Sequence, residues 1–470
     1  MRKIGALADR RHGAALIWLG LTLLLGGCAV YQPHMLPDHA ALSDSPVALQ
    51  IDSAKLRMAG LQKKQVNLSD GLDMTEIAIL AVLNNPELKV QRARRAMAGA
   101  QLFAAGLLPD PQFSANLDHP AGNIPGISTG WGLGLGYDIM PLITRQTRLA
   151  AAAAARSQVD LTLLWQEWQV AQQARSLDVR YQTESRQLAL LRKTLKLYEG
   201  RYNQSARALT QGDLTLNVSG TDLAGLIGIY SQISQLEKSL NETSHSLNLL
   251  LGLKPETGIS LSPLTKPASL EASAIQQGLA AMVRRRPDLL ALQAGYRSQE
   301  AKVRSAVLAQ FPSISIGINR ARDTSALYTS GFAISLNLPV FSANRGAIAV
   351  ERASRNELRT EYQTRLDQAA TDIDQLVALQ AIEVKQQHVL DLYLPKLQKM
   401  VNQARNAFRN GDIDALAFLN METTLVNNRL VQISLLGDQW ENRIALDTLL
   451  ALPYGSLLQS QTRPAASVQK

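Results

Sequence analysis

Gly126-Ile127-Ser128-Thr129-Gly130 has the spacing of a hydrolase nucleophile elbow, in which the serine would attack an acyl carbon. That chemistry needs a strand before the serine and a helix after it, with an acid and a histidine in reach. Here a strand-like segment follows, and no Asp/His partner is evident. The six histidines, His12, His34, His39, His119, His245 and His388, never fall at metal-ligand spacing. Gly132-x-Gly134-x-Gly136 alternates as a strand does and is no phosphate loop. Trp165 and Trp168, three residues apart, read as packing along a helix seam. These patterns argue against an enzyme. No catalytic, cofactor-binding or metal-ligating residue is assigned.

One residue does carry chemistry. Arg2, Lys3, Arg10 and Arg11 precede an apolar run from Ala14 to Leu25, the layout of a secretory signal and too short for a comfortable membrane span. The run ends in Leu25-Gly26-Gly27-Cys28, which resembles the bacterial lipobox, where cleavage precedes the cysteine and its thiol and new amine are acylated. Cys28 is the only cysteine in the chain. An exported chain with one thiol can form no internal disulfide, and acylation at Cys28 with palmitate removes the stray thiol. Ala29, standing where an Asp would by the usual sorting rule suggest inner-membrane retention, favours the outer membrane.

The net charge is +9. Arg92, Arg94, Arg95 and the run Arg284-Arg285-Arg286 lack interleaved stacking aromatics, and an exported chain meets no nucleic acid, so they are expected on solvated helix faces and ends. Composition points the same way: 46% hydrophobic residues over 470 positions allow a large core, while aromatics at 5% favour long helices.

The elements that position these residues come twice. Asn84-Asn85-Pro86-Glu87-Leu88 is echoed by Arg285-Arg286-Pro287-Asp288-Leu289, Pro111-Gln112-Phe113-Ser114 by Pro312-Ser313-Ile314-Ser315, and Gln211-Gly212-Asp213-Leu214 by Asn410-Gly411-Asp412-Ile413. Asp138-Ile139-Met140-Pro141 corresponds to Asn337-Leu338-Pro339, and Leu249-Leu250-Leu251-Gly252-Leu253 to Thr448-Leu449-Leu450-Ala451-Leu452. The offset is about 200 residues throughout, the mark of a duplicated unit. The resulting division is a signal peptide at 1–27, an N-terminal tether at 28–72, repeat 1 at 73–255, a linker at 256–272, repeat 2 at 273–453 and a tail at 454–470.

Each repeat is expected to open with a short helix ending at the X-Pro pair, Asn85 capping the next helix, which runs to a proline-bearing turn. Strict alternation then predicts strands at about 112–118 and 131–139, and at about 313–320 and 329–338. One side of each is apolar. The other carries Gly132, Gly134, Gly136, Ser313, Ser315 and Gly317, which suit the lumen of a pore. Their length and flanking aromatics such as Trp131 and Tyr328 meet the needs of a membrane barrel, and a half-buried soluble hairpin has the same alternation, so the strands alone leave both readings open. Long helices follow at about 142–208 and 346–410, the first turning between Ser205 and Asp213, the second interrupted at Pro395. They return at about 214–252 and 412–452. In each repeat the helix before the hairpin and the returning helix together match the long one, giving paired antiparallel rails. Four strands cannot close a barrel, and open sheet edges are not tolerated in lipid, so the chain must oligomerise.

The repeat, the Asn85-Pro86-x-Leu88 opening, the Leu108-Pro109-Asp110-Pro111 and Gln310-Phe311-Pro312-Ser313 entries, and Phe408-x-x-Gly411 followed by Leu419-Asn420 resemble the TolC-type outer-membrane factor family, in its lipoprotein branch. The resemblance covers about Asp73 to Pro453. It implies a mostly α fold with a small β part: a homotrimer whose 12-stranded β-barrel in the outer membrane of a Gram-negative bacterium continues into a periplasmic α-helical barrel. It further implies a passive duct in efflux or secretion, partnered by a periplasmic adaptor and an inner-membrane pump. By position, Gly212 and Asp213, and Arg409, Gly411, Asp412, Asp414 and Asn420, would form the periplasmic tips and gate. Many relatives place an acidic residue where Asn420 stands, so Asp213, Asp412 and Asp414 become the candidates for negative charge, or caps of the returning helices. Leu107-Leu108-Pro109-Asp110-Pro111 followed by Asp118-His119-Pro120 is similar to the family's heavy-metal exporters; a multidrug substrate stays open. The competing reading is a periplasmic coiled-coil adaptor or scaffold lipoprotein.

Overall fold

The computed structural model describes residues 31–452 apart from 59, 60, 62, 63, 123 and 124. Cys28, the signal segment and the tail lie outside the described residues. The chain divides into two compact units at Leu42/Ser43. The described part of the first carries no helix or strand.

The second unit is mostly helical with one small sheet. It opens with two single turns, Pro46–Ala48 and Ser53–Lys55, capped by the side chains of Ser45 and Asp52. Helix α1, Met74–Asn84, starts in a complete capping box: the Asp73 side chain accepts from the Thr75 and Glu76 amides, and Glu76 accepts from the Asp73 amide. Its sequence Ile77-Ala78-Ile79-Leu80-Ala81-Val82-Leu83 is apolar all round, and every one of those side chains is buried. The segment expected to be a tether explains this. Leu49, Leu56, Met58 and Leu61 pack over α1, and Leu72 pairs with Leu261 of the linker.

Helix α2, Pro86–Gly106, takes proline at its first turn, with Asn85 Oδ1 accepting from the Leu88 amide at 3.0 Å. Strands β1, Gln112–Asp118, and β2, Gly130–Asp138, follow. After the short α3, Met140–Ile143, comes α4, Arg145–Gln211, 67 residues long and about 100 Å at helical rise. It passes through Ser205 without breaking. Helix α5, Leu216–Leu250, returns along it.

Repeat 2 runs α6, Ala272–Arg285; α7, Pro287–Leu308; β3, Ser313–Arg322; β4, Tyr328–Asn337; α8, Arg345–Asn410; and α9, Ala415–Leu449. Pro395 sits inside α8 without interrupting it. A proline in a helix interior removes one backbone donor, which a helix of 66 residues packed on neighbours tolerates. α6 matches α1 in place but not in burial. Only Ile275, Gly278 and Met282 are buried, on the side of Ile373, Leu446 and Leu450, because among the described residues no segment covers its outer side as 43–72 covers α1.

Arg286 departs from the expectation of solvated arginines. It is 2% exposed, donates to both carboxylate oxygens of Asp288 at 3.0 and 2.7 Å, and lies over the Trp165 ring at 5.4 Å. Arg92 and Arg95 likewise take partners, Arg92 on the Val82 carbonyl at the end of α1 and Arg95 on Asp160.

Candidate functional site

The two hairpins join into one four-stranded antiparallel sheet in the order β1-β2-β3-β4. The register across it is continuous. Ser114 stands opposite Gly134, Gly134 opposite Asn319, and Asn319 opposite Gly331. Gly136 likewise meets Gly317, which meets Ala333. Because side chains alternate, this pairing puts Gly132, Gly134, Gly136, Ser313, Ser315 and Gly317 on a single face, together with Gln112, Asn116, Ser335 and Asn337. That face holds only small or polar residues.

Side chains added at Gly132 and Gly134 would crowd polar neighbours on β1, which would have to turn aside. A Cβ on Gly132 would meet Asn116 Oδ1, and one on Gly134 would stand 2.6 Å from Ser114 Oγ. The small residues of β2 make room for the polar side chains of β1.

The opposite face carries Phe113, Leu117, Leu133, Leu135, Ile316, Ile318, Phe332, Ile334 and Leu336, all exposed. Phe113 and Phe332 expose 69% and 66% of their surface. An apolar sheet face of this extent on a lone chain marks a surface meant to be covered. Trp131 and Tyr328 close its loop-bearing end in an edge-to-face contact, with ring centroids 6.4 Å apart. Among the described residues, β1 and β4 have no partner on their outer edges.

Ser128 of the GxSxG pattern lies in the loop before β2, where its Oγ accepts from Arg322 Nη2 at 3.1 Å. His119 contacts Thr129 at 2.9 Å in the same loop. Neither forms a nucleophile–base pair. Among the described residues no cluster of three or more His, Cys, Asp or Glu could hold a metal. No helix among them is long and apolar enough to cross a membrane.

At the far ends of the helices the two turns are copies. Gly212 and Gly411 take φ of 79° and 82°. In each the residue after glycine donates back across the turn: Asp213 N to Ala208 O and Asp412 N to Ala407 O, both at 2.9 Å. This is the glycine-capped helix end with its six-to-one bond. Asp414 caps α9, accepting from the Ala417 amide at 2.7 Å. Asp213, Arg409, Asp412, Asp414 and Asn420 are all exposed.

Just inside the turns sits a group of which the motifs contain only Phe408. Arg201 of α4 reaches Asp222 of α5 at 2.8 Å and lies 5.9 Å from the rings of both Phe408 and Phe418, which stack at 5.3 Å. Tyr198 meets Thr423 at 2.7 Å. Burial raises the Tyr198 hydroxyl pKa above its ordinary value. Arg405 pairs with Glu422 at 3.0 Å across α8 and α9. The Arg201 and Tyr198 contacts tie the tip of repeat 1 to that of repeat 2. The only sequence signal for them was the aromatic Phe408 ahead of Gly411.

Residues 279–452 match the model of the outer membrane efflux protein family. A Salmonella typhimurium protein named as a probable outer membrane lipoprotein, SilC, is 25% identical over 281 residues, 56% of this chain and 59% of its own length. A Pseudomonas putida protein named as a probable efflux pump outer membrane protein, TtgC, is 25% identical over 459 residues, 90% of this chain and 92% of its own. The crystal structure of CusC superposes with a TM-score of 0.65 at 19% identity, covering 90% of this chain and 99% of that one. Residues 279–452 thus resemble the outer membrane efflux protein family, and the chain, with its duplicated hairpins and rails, shares the fold of the CusC structure.

Proposed function

We propose that the chain is the outer-membrane channel of a tripartite efflux system, a passive duct through which small molecules or ions leave the periplasm or an inner-membrane pump. The observation that carries this is the sheet: one face of small and polar residues, one exposed apolar face, and two unpaired edges. In lipid each unpaired backbone group costs several kcal/mol, so the edges must find partners in other copies. β1 and β4 run antiparallel, which lets β4 of one copy pair with β1 of the next. Three copies make a twelve-strand barrel wide enough for a lumen, whereas two would make an eight-strand barrel filled by its own side chains.

In this arrangement Gly132, Gly134, Gly136, Ser313, Ser315 and Gly317 line the pore, and the long helices extend into the periplasm. The turns at Gly212, Asp213, Arg409, Gly411, Asp412, Asp414 and Asn420 surround the entrance, where a periplasmic adaptor shifts the helices between closed and open. Cys28, acylated, anchors each copy to the outer membrane of a Gram-negative cell. The names of SilC and TtgC, an outer membrane lipoprotein and an efflux pump outer membrane protein, support the same reading.

The test is fractionation of cell envelopes, with unheated and heated samples compared by electrophoresis. The expected result is an outer-membrane protein migrating as a trimer until heated. A monomer in the inner-membrane fraction would overturn the channel reading in favour of a periplasmic adaptor.

A further inference from the structure

The apolar face of the sheet changes character at one end. Along β3 its residues are Ile314, Ile316 and Ile318, and then Arg320 and Arg322. Arg320 stands between Leu133 and Ser330, and Arg322 between Trp131 and Tyr328. Both lie at the end bearing the hairpin loops, away from the helices.

Arg322 is held in place. Its Nη2 donates to Ser128 Oγ, its guanidinium stands 5.9 Å from the Tyr328 ring, and its buried Nε has no hydrogen-bond partner. Arg320 is exposed. The adjacent carboxylate, Asp323, is engaged by the amides of Ser325 and Leu327 in the β3–β4 turn. Among the described residues no ion pair neutralises either arginine. Beside Arg320 lies an open groove of about 610 Å³, walled by Phe113, Leu133, Leu135, Ile318 and Phe332. Ser330, small where its neighbours are large, leaves the guanidinium accessible from the groove.

We propose that Arg320 and Arg322 bind the phosphate headgroup of a membrane lipid whose acyl chain lies in this groove. An apolar trough headed by two unneutralised guanidinium groups is complementary to a phosphorylated amphiphile. The fork of an arginine suits phosphate, and water displaced from the trough favours the chain. Depth is consistent: an arginine facing lipid is costly at the bilayer midplane and nearly free at the interface. These two occupy the last outward positions of the strand, level with the Trp131–Tyr328 pair that belongs at an interface. The proposal rests on the channel reading, under which the hairpin loops face the exterior and the lipid belongs to the outer leaflet.

Full-length protein, wild type and R320Q/R322Q, is extracted from outer membranes in neutral detergent and titrated with lipid A, with diacylglycerol and with inorganic phosphate. Native mass spectrometry reads the lipid retained. Wild type is expected to retain lipid A about tenfold better than the double variant, in keeping with the loss of charge-assisted bonds. Diacylglycerol is retained equally by both, and equimolar inorganic phosphate displaces nothing. Equal retention of lipid A by the two proteins overturns the site; displacement by inorganic phosphate overturns the lipid and leaves an anion site only. Should R320Q/R322Q fail to reach the outer membrane, Ser330→Trp, which fills the groove beside Arg320, must show the same loss. Wild-type protein in the inner-membrane fraction would instead sink the channel reading, whereas outer-membrane protein with unchanged retention sinks the lipid site alone.

Discussion

Arg175 and Asp447 form a buried ion pair, Nη2 to Oδ2 at 3.5 Å with 3% of each side chain exposed, although α4 belongs to repeat 1 and α9 to repeat 2. Arg443 completes the group, its Nε 2.9 Å from Asp447 Oδ1 and its Nη1 on the Ala268 carbonyl of the linker at 2.7 Å. One carboxylate thus joins both repeats and the segment between them. Asp447→Leu should leave two guanidinium groups buried without it and cost about 3–5 kcal/mol. Adding Arg175→Met should recover part of that. Denaturation midpoints of the detergent-solubilised protein decide it, and an unchanged midpoint in the single variant would count against the bridge.

Burial pushes the Asp178 carboxyl up to about 7, against the opposing hydrogen bond from Gln182 and the charge of Arg175. Gln182 also donates to the Ser262 carbonyl and accepts from the Leu264 amide, so the carboxyl sits where α4 grips the linker. Between about pH 4, where an unfolded Asp titrates, and about 7, the folded chain holds a proton that the unfolded chain has lost. Stability from this group is therefore complete at low pH and falls as pH rises through that window, by up to about 1.4 kcal/mol per unit. Desolvation raises Asp447, Glu167, Glu383 and Asp438 as well, adding slope of the same sign. Asp178→Asn should flatten the profile, and an unaltered slope in pH-dependent unfolding would contradict the assignment.

How much of this was legible beforehand differs by element. The hairpins and long helices show in the residues because alternation and uninterrupted 3.6-residue periodicity are local properties, and the mostly helical fold with a small sheet follows from them. Helix ends were harder. α4 runs on to Gln211 because Gly212, with its positive φ, is what stops it, while Gly200 lies inside the helix. Pro395, which a periodicity argument makes an interruption, is absorbed within α8. The burial of Arg286, and the Arg201 and Asp447 groups, depend on which helices lie side by side, which spacing along one helix does not encode. The segment 43–72 read as a tether because its apolar residues, Leu49, Leu56 and Met58, follow no period.

Gly136 tests the proposed lumen. A Cβ there meets only ordinary contacts, the nearest at 3.9 Å, so the sheet should accept a side chain. Gly136→Trp is expected to lower single-channel conductance in planar bilayers by roughly twofold or more, since pore-lining bulk sets conduction. Full conductance would place this face outside the lumen.

For the anchor, Cys28→Ser should abolish incorporation of labelled palmitate while leaving the chain exported. Undiminished labelling would refute Cys28 as the acylated residue.

In the proposed trimer the unpaired edges of the sheet close between three copies. Cysteines placed at Ser114 on β1 and Ala333 on β4, in a Cys28→Ser background, can be joined across the seam by a short bis-maleimide in isolated outer membranes. A closed trimer gives a covalent ladder that ends at three chains and forms with neither single-cysteine variant. A ladder ending at two, or a product confined to single chains, would contradict it.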